Sequence, residues 1–329
     1  MLRQFLIISI IFLASWLCNS MNRQRLESQM VATSTAYWRP ADVPNPIDNR
    51  YTKEKFELGR SLFFDPLMSG SNDISCATCH NPQLSWSDGR PRAVGAAHKP
   101  LPVRTPTLLN IAWQAPLGWD GKFASLEAVA FGPLMAKSNM NMTEALLVER
   151  LTASPKYVAL FRAAFEDGIA SRNNIEKALA TYERTIVSGD APFDRWAKGD
   201  KEAITPAAQR GFTLFNTKAQ CYQCHSGWAF TDGGFHDIGT AKGDDIGRGR
   251  YFPNSKKLRY AFKTPTLRDV AKRSPYMHDG AVPTLEKVIA LYDAGGIERP
   301  SRAAAIKPLG LTESEISDLI AFLKTLSSD

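Results

Sequence analysis

Six residues in two short strings carry the sharpest chemical signal in this chain. Cys76-Ala77-Thr78-Cys79-His80 and Cys221-Tyr222-Gln223-Cys224-His225 both read C-x-x-C-H, the spacing for covalent attachment of a c-type haem. Two thiols three residues apart on a helical turn can each form a thioether to one vinyl group of a porphyrin. The adjacent imidazole then swings under the ring as proximal iron ligand. A disulfide pair or a zinc site uses the same residue types. The pairs stand 145 residues apart, however, and neither alternative explains the histidine that follows each. Two covalently bound c-type haems are therefore expected, one held by Cys76, Cys79 and His80 and the other by Cys221, Cys224 and His225.

The chain also repeats itself. Thr105-Pro106-Thr107-Leu108 recurs as Thr264-Pro265-Thr266-Leu267, and in the same register Asp120-Gly121 returns as Asp279-Gly280 and Ser125-Leu126-Glu127 as Thr284-Leu285-Glu286. Two copies of one haem-binding unit are implied. Their differences are more informative than their likeness. Trp119 in copy one corresponds to His278 in copy two, and Pro133 to Tyr292. A phenol oxygen can ligate ferric haem and a proline cannot. If this position reaches the distal face, haem two is closed by His225 and Tyr292, with Met277 the competing ligand, while haem one keeps an open site beside His80. An open iron does chemistry and a closed one moves electrons.

The elements that must position these residues read as mostly helical. Thr52 caps a helix through Phe64, Thr143 one through Leu151, Thr205-Pro206 starts the second unit, and Thr312 with Glu315 forms a capping box for a helix ending near Leu326. Strand-like alternation is scarce, and Gly and Pro collect in long loops at 81–106 and 231–255. At 329 residues, 44% hydrophobic and 22% charged, the chain has the composition of a soluble globular protein with about two units. The fold class expected is all-α.

Lys+Arg 40 against Asp+Glu 33 gives a net charge of +7, but no basic stripe alternates with aromatics, which argues against nucleic-acid binding. Haem propionates would offset much of that charge. The start of the chain, a basic Met1-Leu2-Arg3-Gln4 followed by an apolar run from Phe5 to Leu17, reads as an export signal or a retained N-terminal anchor over residues 1–20. A linker over 21–39 follows. The expected location is the periplasm, with membrane contact only through a retained leader.

Over residues 40–329 the chain resembles the bacterial dihaem cytochrome c peroxidase and MauG superfamily. The resemblance rests on both haem motifs, Thr105 to Asn110, Trp119-Asp120-Gly121, Phe235-His236-Asp237-Ile238-Gly239 and Pro275-Tyr276-Met277-His278-Asp279-Gly280. It implies two cytochrome c-like domains, 40–200 with the peroxidatic haem and 201–329 with the electron-transfer haem. Trp119 would lie between the haems. Tyr292 at the second distal position favours the MauG branch, in which hydrogen peroxide forms high-valent haem iron and a Trp or Tyr of a periplasmic partner protein is oxidised. The alternatives are a cytochrome c peroxidase fed by a small cytochrome or cupredoxin as electron donor, and a dihaem electron carrier without catalysis.

Two departures from the family pattern stand out. The positions at which most members carry Gln and Glu near the first haem are Val129 and Asn139. An amide cannot exchange a proton near neutral pH, so either Glu144 or His98 reaches in, water serves, or the peroxide step is slow. The catalytic set expected is thus Trp119, Pro133 and Asn139. The second departure is Arg104, which stands where the family's interdomain calcium takes an Asn. A cation is the wrong ligand for calcium, so calcium either binds through carbonyls and water or is absent. His98 is expected to be solvated, and His236 and His278 to bond propionates or backbone. Trp86, Trp113, Trp196, Trp228 and Tyr222 are packing residues first and relay candidates second.

Overall fold

The computed structural model describes residues 35–328. Elements of the first half are α1 (Lys53–Phe64), α2 (Cys76–Cys79), α3 (Leu126–Met135), α4 (Glu144–Ala153), α5 (Pro155–Ala164) and α6 (Arg172–Arg184). The second half contributes α7 (Pro192–Ala197), α8 (Pro206–Asn216), α9 (Leu285–Asp293) and α10 (Glu313–Lys324). Sheet among the described residues is confined to β1 (Phe235–His236) and β2 (Phe262–Lys263), paired antiparallel. The architecture is the all-α one expected from the helical patterning.

The helices start where the caps say. Thr52 Oγ1 accepts from the Lys55 amide at 3.2 Å and Thr205 Oγ1 from Ala208 at 3.2 Å. Thr312 and Glu315 make the reciprocal box, at 3.2 Å and 2.8 Å. Each cap satisfies an amide that the helix itself leaves unpaired.

Each half is organised around one helix crossing. In the first, α1 crosses α6 so closely that a Cβ on Gly59 would fall on the Ala178 carbonyl; in the second, α8 crosses α10 and a Cβ on Gly211 would fall on the Asp318 carbonyl. Only glycine lets the two backbones approach in this way. Leu58, Leu62, Phe63, Leu147, Tyr157, Phe161 and Ile175 fill the first core. The second is aromatic, with Phe193, Phe212, Phe215, Phe230 and Phe322 in mutual ring contact. Tyr37, and Phe193 and Trp196 of α7, pack into this second core although they precede residue 200.

The halves meet through a pair of bonds that are the same bond made twice. The Arg104 amide donates to the His278 carbonyl at 2.9 Å, and the Lys263 amide donates to the Trp119 carbonyl at 2.8 Å. Arg104 and Lys263 are equivalent in the repeat, as are Trp119 and His278, so the two units are related by a local two-fold axis through this contact. The Trp119 and His278 rings face each other edge-on at 6.5 Å. Among the described residues no helix is long and apolar enough to cross a membrane. The leader segment over residues 1–20 lies outside the described residues.

Candidate functional site

One cavity of about 890 Å³ is lined by both motifs, with Cys76, Cys79 and His80 from the first unit and Cys221, Cys224 and His225 from the second. The first motif is itself α2, opened by Ser75, whose amide donates to Thr78 Oγ1 at 3.0 Å. The second is a 3₁₀ turn, Cys221–Gln223. None of these four thiols is in a disulfide. Burial raises the thiol pKa of Cys76 and Cys79 and pushes Cys221 up to about 12.

Both imidazoles are set up as metal ligands. His80 Nδ1 lies 3.2 Å from the Trp86 carbonyl, and His225 Nδ1 lies 3.0 Å from the Phe230 carbonyl. A carbonyl can only accept, so Nδ1 carries the proton and Nε2 keeps its lone pair. Burial lowers the pKa of both rings against these bonds, which favours the neutral form that iron needs.

The charge around the cavity also fits haem. Arg104 and Arg273 both line it and are 6% and 7% exposed. Burial and the adjacent Arg104 push Arg273 down to about 10, and burial lowers Arg104 as well. Arg104 Nε has no hydrogen-bond partner. Two buried cations with an unpaired donor call for an anion, and haem propionates are anions of that kind. The Arg104 Nη2 donates to the Arg273 carbonyl and to Ser87 Oγ, each at 3.1 Å. A guanidinium thus sits on the sort of backbone oxygen that an interdomain calcium would use.

Trp119, Val129, Pro133, Asn139, Met277 and Tyr292 all line the same cavity. Pro133 in α3 and Tyr292 in α9 occupy equivalent places on equivalent helices. Tyr292 is driven up in pKa by burial first, then by Cys221 and Cys224, which puts the phenol beside the second motif. His98 is at the surface, with its side chain 82% exposed, 4.0 Å from Asp73. Glu144 faces solvent in an ion pair with Arg172 at 3.6 Å. Neither appears among the cavity's lining residues. Of the carboxyls that do, Asp120, Glu183, Asp244 and Asp245, the buried one is Glu183 of α6, which the sequence reading missed. Its signal was available: Ile175, Leu179 and Glu183 recur every four residues on one face, and the face is otherwise apolar.

His236 and His278 pair with carboxylates, Nε2 to Asp232 Oδ2 and to Asp245 Oδ2, both at 2.6 Å. Cys224, Asp232 and His236 bring ligand atoms within 4.8 Å of one another, but the thiol of that trio is one that haem attachment consumes. Trp86 packs on Phe63 and Tyr182, Trp196 belongs to the second core, and Trp113 meets Trp228 edge-on at 5.0 Å. Tyr222 is exposed.

Residues 53–202 match the di-haem cytochrome c peroxidase family, and residues 208–327 match cytochrome c. A methylamine utilization protein MauG from Methylorubrum extorquens is 52% identical over 306 residues, covering 92% of this chain and 86% of that protein. Cytochrome-c peroxidase IdrP1 from Denitromonas iodatirespirans is 36% identical, over 87% of this chain and 84% of its own. The crystal structure of a MauG-like protein associated with microbial copper homeostasis superposes with a TM-score of 0.82 at 29% identity, covering 89% of this chain and 95% of that one. Two haem motifs on two cytochrome c units, joined by one cavity, and these similarities together make the chain a dihaem oxidoreductase that belongs to the di-haem cytochrome c peroxidase and MauG family.

Proposed function

We propose that this protein uses hydrogen peroxide at the His80 haem to oxidise a Trp or Tyr residue of a partner protein, in an exported, periplasmic location. The observation that carries the reading is the Pro133/Tyr292 asymmetry. At matching places on α3 and α9, one unit offers no ligand atom and the other offers a phenol oxygen beside Cys221 and Cys224. Bound haem supplies the redox-active iron. The protein's part is to hold the Nε2 of His80 and of His225 toward the cavity and to leave the Pro133 side without a donor. Tyr292 closes the second unit. Trp119, its backbone carbonyl bonded across the two-fold contact by the Lys263 amide and its indole held by the Arg104 carbonyl of its own unit, couples the sites, and Asn139 orients but cannot exchange a proton. The partner is a protein of methylamine utilization, on the names of the relatives at 52% and 46% identity.

The test is to mix the fully ferric dihaem protein with stoichiometric peroxide and no reductant, and to follow the Soret and near-infrared bands. Rapid change at both haems with a new near-infrared band is expected. A protein that reacts only after one haem is reduced is instead a cytochrome c peroxidase, the reading favoured by the relatives at 36% identity and below. One inert in both states is a carrier.

A further inference from the structure

We propose that Glu183 is the redox-linked proton site of haem one, releasing its proton when the iron in the His80 unit is oxidised and recovering it on reduction. The proposal rests on the dihaem reading above for the identity of the group in the cavity. Its ground is geometric. Glu183 is 8% exposed and lines the cavity, and its Oε2 has no hydrogen-bond partner. A buried carboxyl left this way is costly unless it stays protonated or meets a compensating positive charge.

The second unit supplies the contrast. The crossings at Gly59 and Gly211 bring Ala178 of α6 and Asp318 of α10 into equivalent places. Counting on from them, Leu179 matches Leu319 and Glu183 matches Leu323. All four line the cavity, so one unit carries an acid where the other carries a leucine. A group needed only for packing would have no reason to differ in this way.

The charged and titratable groups around Glu183 come from three helices. On α6 itself they are Arg184 and Tyr182, α3 presents Glu127, and α2 presents Cys76. Arg60 of α1 acts on Tyr182. Arg184 is already engaged by Glu127 at 2.7 Å, so it offsets the burial of Glu183 only in part. Burial accordingly drives the Glu183 carboxyl up to about 8, opposed by Arg184 and assisted by Glu127. It is an acid at neutral pH whose ionisation a nearby positive charge would favour.

The step balances in charge. One electron leaves the iron toward haem two or an external acceptor, which in turnover is ultimately peroxide. The Glu183 O–H bond breaks, and the proton passes to solvent by way of Glu127, whose side chain is 20% exposed. Reduction reverses both transfers. The positive charge gained at the iron is thereby matched by a carboxylate, and the unit that lacks a proton-exchanging group at Asn139 keeps one on α6.

The experiment is an anaerobic spectroelectrochemical titration of the holoprotein at a series of pH values, without peroxide, on the wild type, Glu183→Gln and Glu183→Leu. In the wild type, the haem-one potential should fall with pH by up to about 59 mV per unit, the one-electron equivalent of a tenfold change in proton concentration. That slope should be lost in both variants, with the slope of haem two unchanged. A wild type without slope, or a slope that survives in Glu183→Gln, overturns the proposal. Should the variants fail to take up haem, the redox-difference infrared spectrum of the wild type decides. A protonated carboxyl C=O band must vanish on oxidation, and its absence refutes the assignment. Because no peroxide is added, a haem one closed to peroxide would sink the proposed function and leave this result standing.

Discussion

Trp119 donates its indole N–H to the backbone carbonyl of Arg104 at 2.9 Å, and the amide of the same Arg104 donates to the His278 carbonyl in the other unit. One peptide segment therefore orients the Trp119 ring and is itself tied across the two-fold contact. Trp119→Phe keeps an aromatic ring but removes the donor, leaving a carbonyl without its partner at a cost of about 1–3 kcal/mol. The expected phenotype is a modest fall in the unfolding midpoint. It should be accompanied by loss of the concerted response of the two haems to peroxide, seen as a Soret change confined to haem one. A variant in which both haems still respond together removes Trp119 from the coupling.

Arg104 leads to a second expectation, about calcium. Its guanidinium occupies the Arg273 carbonyl and stands between the halves, so a divalent cation has neither the charge balance nor the free oxygen it needs. Dialysis against a chelator should leave the unfolding midpoint and both haem spectra unchanged. Arg104→Asn exchanges the cation for an oxygen donor and should lower stability by about 1–3 kcal/mol through the lost bonds, with added calcium restoring part of it. Sensitivity of the wild type to chelator would show that the guanidinium has not replaced the ion.

Tyr292 and Met277 line the same cavity and are the two candidates for closing haem two. Tyr292→Phe should alter the ferric spectrum of that haem and open it to cyanide, leaving haem one as it was. Met277→Leu should do neither. The opposite pattern would make the thioether the ligand and remove the main support for a MauG-type reaction.

What could be read from the sequence was what is local. Thioether chemistry fixes the C-x-x-C-H spacing, a repeat shows itself by register, and a threonine cap needs only three following residues. The asymmetry of Pro133 and Tyr292 followed from the repeat alone. What could not be read depends on which helices meet. Along the chain Glu183 shows only as an acid on an otherwise apolar helix face with Ile175 and Leu179, and it is the fold that places that face in the haem cavity. The reciprocal bonds of Arg104 with His278 and of Lys263 with Trp119 join residues more than 140 positions apart, and no pattern along the chain announces them. The packing of Tyr37, Phe193 and Trp196 into the second core is hidden for the same reason.

The segment after β1 is pinned by a single buried charge, and its pH behaviour follows from that. Asp237 is 1% exposed, and its carboxylate meets Arg299 Nε at 2.6 Å and Ser301 Oγ at 2.6 Å, with the Gly239 amide at 2.9 Å. Burial opposes ionisation, but Arg299, Ser301 and the amide outweigh it and hold the carboxyl below its ordinary value. A folded-state pKa below the unfolded one means that the unfolded chain binds more protons, so this group's contribution is complete above about pH 4 and is lost as pH falls through the folded value. Asp237→Asn strands the Arg299 guanidinium and should cost about 3–5 kcal/mol at neutral pH. The gap between variant and wild type should narrow as pH drops below about 4, where the wild type loses the charge as well. Unfolding midpoints of both proteins measured across pH 3 to 7 would check this, and a gap independent of pH would show that the residue acts through packing alone.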